Sequence, residues 1–302
     1  MVARCTRASA TRPIFCCSFL CWPGCGVEQR AKSPPVLPDL NISSPIFSVW
    51  VSPQHGGRMT RAEVHGHPLL VESASRGSDA PTAWGNYVMA PWAGRLRNAT
   101  FTHRNNKHVF VANDSPHAIH GLTFSDAWSV VEHSTASITL RYDFVSPWPF
   151  DGWCEHTISV DQHEITCTLS VNSSNGTWPA LLGWHPWFLK TWKLQSNFDT
   201  MLRRDPDNIV STIAMPPSQQ PWDDCFMHAR SAPTLSNGHD RLTLQSDCSH
   251  WMLYTQPAHA FCIEPMSGPP NSLDDAHPNQ ILVSTSQPLQ RTLRFVYTTE
   301  TD

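Results

Sequence analysis

Seven side chains able to bind ligands or move protons stand in apolar or turn-rich surroundings along this chain. His185 sits in "LLGWHPWFLK", residues 181–190, among two tryptophans and a phenylalanine. A histidine so placed is either a packed structural residue or an acid and base working near neutral pH. Glu264 follows the apolar run Phe261, Cys262, Ile263 and precedes Pro265. A carboxylate ending a buried strand is costly unless it is paired or used, so the choice lies between a buried ion pair and a proton acceptor. Arg95, in "MAPWAGRLRNATF", reads first as a surface arginine and second as a fixed guanidinium fork for substrate oxygens. His117 and His120, in "SPHAIHGLTF", could ligate a metal, but no third ligand with recognisable spacing lies nearby and metal is the weaker reading. Asp223 and Asp224 are adjacent in "QPWDDCFMH". In a strand they point to opposite faces, so one of them at most looks into a given pocket.

The elements that position these residues read as strands. In "SITLRYDF", Ile138, Leu140, Tyr142 and Phe144 share one face. "EITCTLSV" and "RTLRFVYT" repeat that alternation, and "IFSVWVS", "KHVFVAN" and "RLTLQS" add shorter strands between turn signals such as "NSSNG" and "SGPPNS". No segment has the apolar spacing of an amphipathic helix of ten residues or more. The expectation is an all-β sandwich of antiparallel strands, with no fixed repeat to suggest a propeller.

Composition narrows the function. The chain has 302 residues, a formal net charge of −4 and only 15% charged residues, which disfavours nucleic acid and anionic membrane as partners. Five of the ten cysteines (Cys5, Cys16, Cys17, Cys21, Cys25) crowd the first 25 residues, while Cys154, Cys167, Cys225, Cys248 and Cys262 are scattered like small buried hydrophobes. Near the N-terminus, Arg4, Arg7 and Arg12 precede the apolar run "IFCCSFLCW", which loosely imitates a secretory signal and is too short to span a bilayer. Residues 1–38 are expected to be an extension, disordered or targeting, ahead of a single domain over 39–302.

Taken together, "APWAGRLRN", "HAIHGL", "LLGWHPWF", "WDDCF" and "CIEPMSGPPN" resemble, in order and rough separation, the motifs of the aldose 1-epimerases, or galactose mutarotases. The resemblance covers about residues 46–298, and "SPQHGGRMTRAEVHGHPLLV" is similar to that family's opening hairpin. It implies a large antiparallel β-supersandwich (galactose mutarotase-like). By the same resemblance Glu264 is the general base, His185 the proton donor, and Arg95, His120 and Asp223 the substrate-binding residues; His117 and Asp224 are left without a role. Gly94 stands where many members have Asn.

The implied reaction interconverts the α and β anomers of a free aldohexose such as glucose or galactose. Base and acid open the ring between C1 and its ring oxygen, and reclosure follows rotation of the aldehyde. The resemblance calls for no metal and no organic cofactor. Two alternatives are carried with it: a non-catalytic carbohydrate-binding protein of the same fold, for which the pairing of His185 with Glu264 would be superfluous, and a hexose-6-phosphate epimerase, which would want an extra cationic cluster. A cytoplasmic location is expected, with export as the alternative if the N-terminal segment is a signal, and stable membrane insertion is not expected.

Overall fold

A computed structural model describes residues 38–73, 80–238 and 240–299. The expected N-terminal extension therefore lies, Pro38 excepted, outside the described residues. Among those residues the only helical turn is a short 3-10 segment, Arg97–Ala99, and no helix is long and apolar enough to cross a membrane.

One continuous ladder of antiparallel pairings links most of the strands. From one edge the order runs Leu40–Ser43, Phe47–Ser52, Arg58–Val64, Asn86–Met89, Gly183–Leu189, Ala260–Met266, His250–Tyr254 and then the long strand Asp223–Asn237. The first residues of that long strand pair with His250–Tyr254, and its last pair with Asp240–Ser246. The ladder then continues through Leu289–Thr299, Glu164–Ser173, Gly152–Val160, Ser137–Asp143 and Ser129–His133. Lys193–Arg204 lies along the other side of the long strand. The ladder doubles back into two layers, and their inner faces make one core, where Phe188 from the first layer meets Phe295 from the second at 6.1 Å, edge to face. This is the large antiparallel β-supersandwich that the sequence motifs implied.

Alternation explains most of these strands. Ser137–Asp143 and Glu164–Ser173 bury every second residue as the sequence pattern requires. "KHVFVAN" departs from expectation: its strand stops at Val109 and Val111 is 81% exposed. Phe110 turns inward against Phe101 and Trp92, and its N–H donates to Ala99 O, one step past the last pair of the hairpin. At Gly56 (φ +78°) the opening hairpin passes so close to Phe124 that a Cβ would stand 2.1 Å from its carbonyl oxygen, so only glycine fits. Beside it Arg58, 1% exposed, donates to the carbonyls of His55, Trp84 and Phe124 and lies over the rings of Trp84 and Tyr87.

The two layers are also tied by a buried histidine. Trp184 Nε1–H donates to His156 Nε2 at 3.2 Å, and His156 Nδ1 meets Gly57 O at 3.3 Å, so the imidazole is neutral with its proton on Nδ1. Burial pushes the His156 pKa down to about 4, against a smaller upward pull from the Gly57 carbonyl. A depressed histidine stabilises the fold above its unfolded value of about 6.5, and that contribution is lost as pH falls toward the folded value. The prediction is a fall in stability between pH ~6.5 and ~4, of which His156 supplies up to about 3 kcal/mol. Urea midpoints measured across this range should fall less steeply in His156→Gln than in the wild type.

Candidate active site

The strand Gly183–Leu189 is rich in aromatic residues because both of its faces are buried up to its last residue. Trp184 and Phe188 point into the core between the layers, with Val88, Ile263, Phe261, Leu253 and Phe226 from neighbouring strands. His185 and Trp187 point the other way, into a second apolar cluster. Register places the rest. Tyr87 pairs with His185, Cys262 with Trp187, Met252 with Glu264, and Asp223 with Tyr254. Side chains alternate along each strand, so Tyr87, His185, Glu264, Met252, Tyr254 and Asp223 share the outer face of this layer. All but the fully buried Tyr87 form the floor of a cavity of about 620 Å³, which is also lined by Arg95, His120 and Arg204.

At its centre His185 Nε2 stands 3.1 Å from Glu264 Oε1, with side chains 6% and 3% exposed. Burial drives the two in opposite directions. Glu264 is raised well above the usual carboxylate range, chiefly by burial and then by Asp223, while Arg204 and Arg95 pull it back. His185 is lowered well below the usual imidazole range by burial, and further by His120. The pair therefore holds one proton between its two atoms. Its rings are fixed by stacking: Tyr87 lies on His185 at 4.7 Å and 20°, and Trp187 lies at 5.6 Å and 17°. Trp187 Nε1–H donates to Thr82 O, 2.8 Å away.

His120 stands edge-on to His185, with centroids 4.9 Å apart. Its own pKa is pushed down to about 3 by burial and then by Arg95, which makes it a neutral hydrogen-bonding group. It has left-handed backbone (φ +64°), and its N–H donates to Gly94 O, joining it to the turn that presents Arg95. Gly94 itself is left-handed (φ +67°), and a Cβ there would meet Pro270 Cγ at 2.7 Å, so a side chain at this position would disturb the Pro270 wall of the cavity. Arg95 Nε–H donates to Asp114 Oδ2 at 2.6 Å; among the described residues its Nη groups make no hydrogen bond and are left for a ligand. Asp223 accepts from Arg204 Nη2 at 2.7 Å, and Arg204 Nε lies 3.7 Å from Asp224. Asp223 lines the cavity and Asp224 does not.

The structure thus brings all five residues named from the sequence, Glu264, His185, Arg95, His120 and Asp223, to one cavity. His117 is not among them. It is a staple whose Nδ1 accepts from Asn98 N–H at 3.1 Å and whose Nε2 donates to Asp207 O at 3.0 Å. Sequence reasoning missed Arg204, Asp114, Tyr87 and Tyr254. Arg204 ends a strand whose burial is irregular and whose register slips after Leu202, so alternation gave no signal for it.

The comparisons with known proteins agree with this architecture. The sequence model of the aldose 1-epimerase family matches residues 40–281, so the chain belongs to that family. Among solved structures, the chain is similar to an aldose epimerase homologue from C. elegans, with 13% identity, a TM-score of 0.75, and 86% of this chain and 98% of that one covered. A galactose 1-epimerase from Lactobacillus acidophilus NCFM shares 15% identity at a TM-score of 0.71, over 86% of this chain and 94% of its own. A galactose mutarotase-like protein from Lactobacillus casei shares 13% identity at 0.69, over 86% of this chain and 100% of its own. At these identities the likeness establishes the fold. No curated protein sequence matches the chain.

Gly121 supports the site from behind: at φ +77° its Cβ would stand 2.0 Å from Ala90 O. Gly176 is also left-handed (φ +72°) but has open space around it. Gly176→Ala should cost only the backbone strain, about 1–2 kcal/mol. Gly121→Ala should cost more and displace the adjoining His120, as read by thermal denaturation and by the histidine ring resonances in NMR.

Proposed function

We propose that the chain is a mutarotase, interconverting the α and β anomers of a free aldohexose. The observation that carries this reading is the 3.1 Å contact between His185 Nε2 and Glu264 Oε1 at the floor of a sugar-sized cavity. Ring opening needs a base at the C1 hydroxyl and an acid at the ring oxygen, and both oxygens are bonded to the same carbon. The two groups must therefore be neighbours, aimed at one point from one side, as facing residues of two paired strands are.

Glu264 as carboxylate takes the C1 hydroxyl proton while His185 as imidazolium gives its own to the ring oxygen; the C1–O5 bond breaks and the carbonyl forms. Rotation about C1–C2 turns the other face of the aldehyde to the ring oxygen, and the same two groups run the transfers backwards. One proton shared by the pair is the count this needs, because carboxylate with imidazolium and carboxylic acid with imidazole differ only in where that proton sits. Arg95 and Arg204 favour the ionised Glu264. His120, the free Nη groups of Arg95, and Asp223 held by Arg204 are suited to the remaining hydroxyls. Trp187 lies between His185 and His259, with both faces covered, so it offers the sugar an edge.

The charges favour a neutral sugar. Each cavity arginine already faces a carboxylate, Arg95 with Asp114 and Arg204 with Asp223, and Glu264 adds a further acid. Among the described residues a phosphate monoester would meet no unpaired cation there. We further propose a cytoplasmic protein that works without a cofactor; the free, buried Cys154, Cys167, Cys225, Cys248 and Cys262 suit a reducing compartment.

Polarimetry of freshly dissolved α-D-glucose and α-D-galactose tests the reading. The protein should speed the decay of at least one sugar, and Glu264→Gln or His185→Asn should each lower that rate by about 10²–10⁴-fold. Binding of sugar with every decay at its spontaneous rate would show a carbohydrate-binding protein instead.

A further inference from the structure

Behind the floor of the cavity, out of contact with it, lies one more group that proton transfer does not use. Cys262 precedes Glu264 by two residues on the same strand and faces Trp187 across the ladder, so its side chain lies on the face that carries His185 and Glu264. Its thiol is free and buried. One donor atom each from His185, Cys262 and Glu264 lies within 4.8 Å of the other two, and all three side chains are buried. In a tetrahedral zinc site the ligand atoms stand roughly 3.5 Å apart, so the widest pair here has to close by on the order of 1 Å, which side-chain rotation supplies. The donors come from two hydrogen-bonded strands, so their backbones are already set. Three protein ligands with a fourth position open to a cavity is a stable arrangement for such an ion.

From this geometry we propose that His185, Cys262 and Glu264 bind a thiophilic divalent cation, Zn²⁺ or Cd²⁺, and that the bound ion switches the enzyme off by occupying its acid and its base. The inhibitory half rests on the acid–base reading of the site; the binding half does not. Imidazole and thiolate select against Mg²⁺ and Ca²⁺, which prefer oxygen. On binding, the Cys262 S–H bond breaks and the proton shared by His185 and Glu264 leaves the pair; both protons pass to solvent, and the thiolate sulfur, the imidazole nitrogen and the carboxylate oxygen give lone pairs to the metal. Thiolate and carboxylate then balance the ion's charge. The nearby cations, Arg95 and Arg204, are already matched by Asp114 and Asp223. The metal and the sugar compete for one place.

The test uses the full chain with Cys5, Cys16, Cys17, Cys21 and Cys25 changed to serine, which removes the N-terminal thiols as rival ligands. Titration with Co²⁺ or Cd²⁺ should produce a thiolate-to-metal charge-transfer absorption that strengthens as pH rises. Cys262→Ser should abolish the band, and so should His185→Asn, which leaves every remaining thiol in place. In polarimetry Zn²⁺ should inhibit reversibly, with EDTA restoring the rate and Mg²⁺ without effect. Relative to its own metal-free rate, Cys262→Ser should need at least about tenfold more Zn²⁺ for half inhibition. A band that is absent, or unchanged in Cys262→Ser, overturns the metal site whatever the catalytic result. A Cys262-dependent band with undiminished turnover overturns the inhibitory half. If the band depends on Cys262 but the metal-free protein never speeds mutarotation, the metal site stands and the mutarotase reading falls.

Discussion

A sheet that separates two apolar interiors has no face to give to water, and the strand Gly183–Leu189 carries this constraint most fully. Its even-numbered side chains Trp184 and Phe188 fill the core between the layers, and its odd-numbered His185 and Trp187 enter the cluster beneath the cavity. Polar alternation is impossible there, and the histidine is surrounded by aromatic residues because its whole strand is interior. The chemistry follows from the packing. His185 and Glu264 are almost wholly buried at the cavity floor, so neither charge is cheap alone, and a single proton shared across 3.1 Å is the favoured state.

Around that pair the charges are matched in advance. Asp114 holds Arg95 and Arg204 holds Asp223, so the side chains of Arg95 and Asp223 that line the cavity are held in position by ion pairs. The aromatic stack of Tyr87, His185 and Trp187 does the same for the imidazole, fixing its plane and leaving Nε2 to face Glu264.

The sequence made some of this plain and hid the rest for a physical reason. Strands such as Ser137–Asp143, with one buried and one open face, show themselves by alternation. The long strands Lys193–Arg204 and Asp223–Asn237 do not, since bulges shift their register and one of them serves two neighbours in succession. His185 and Glu264 were legible because each is an ionisable residue set in an apolar run. Their being face to face was not legible, because register between strands some 80 residues apart cannot be read from one chain. Cys262 was legible only as a small hydrophobe; its neighbours on the same sheet face make it a candidate ligand. Arg204 and Asp114 had no signal, since each matters only through the partner it meets in space.

Arg58 carries a consequence for how the molecule comes together. Its guanidinium reaches carbonyls 3, 26 and 66 residues along the chain, at His55, Trp84 and Phe124. A cation gives up its water at a profit only when its new partners are all in place. Two of these arrive from distant segments, one of them, Trp84, three residues before Tyr87, which lies on His185. Closing such long loops is entropically costly until the contacts they make are formed together, so local folding alone cannot complete this corner. The guanidinium is thus a joint that is satisfied only when the hairpin, the strand beside His185 and the wall of the cavity are all in place.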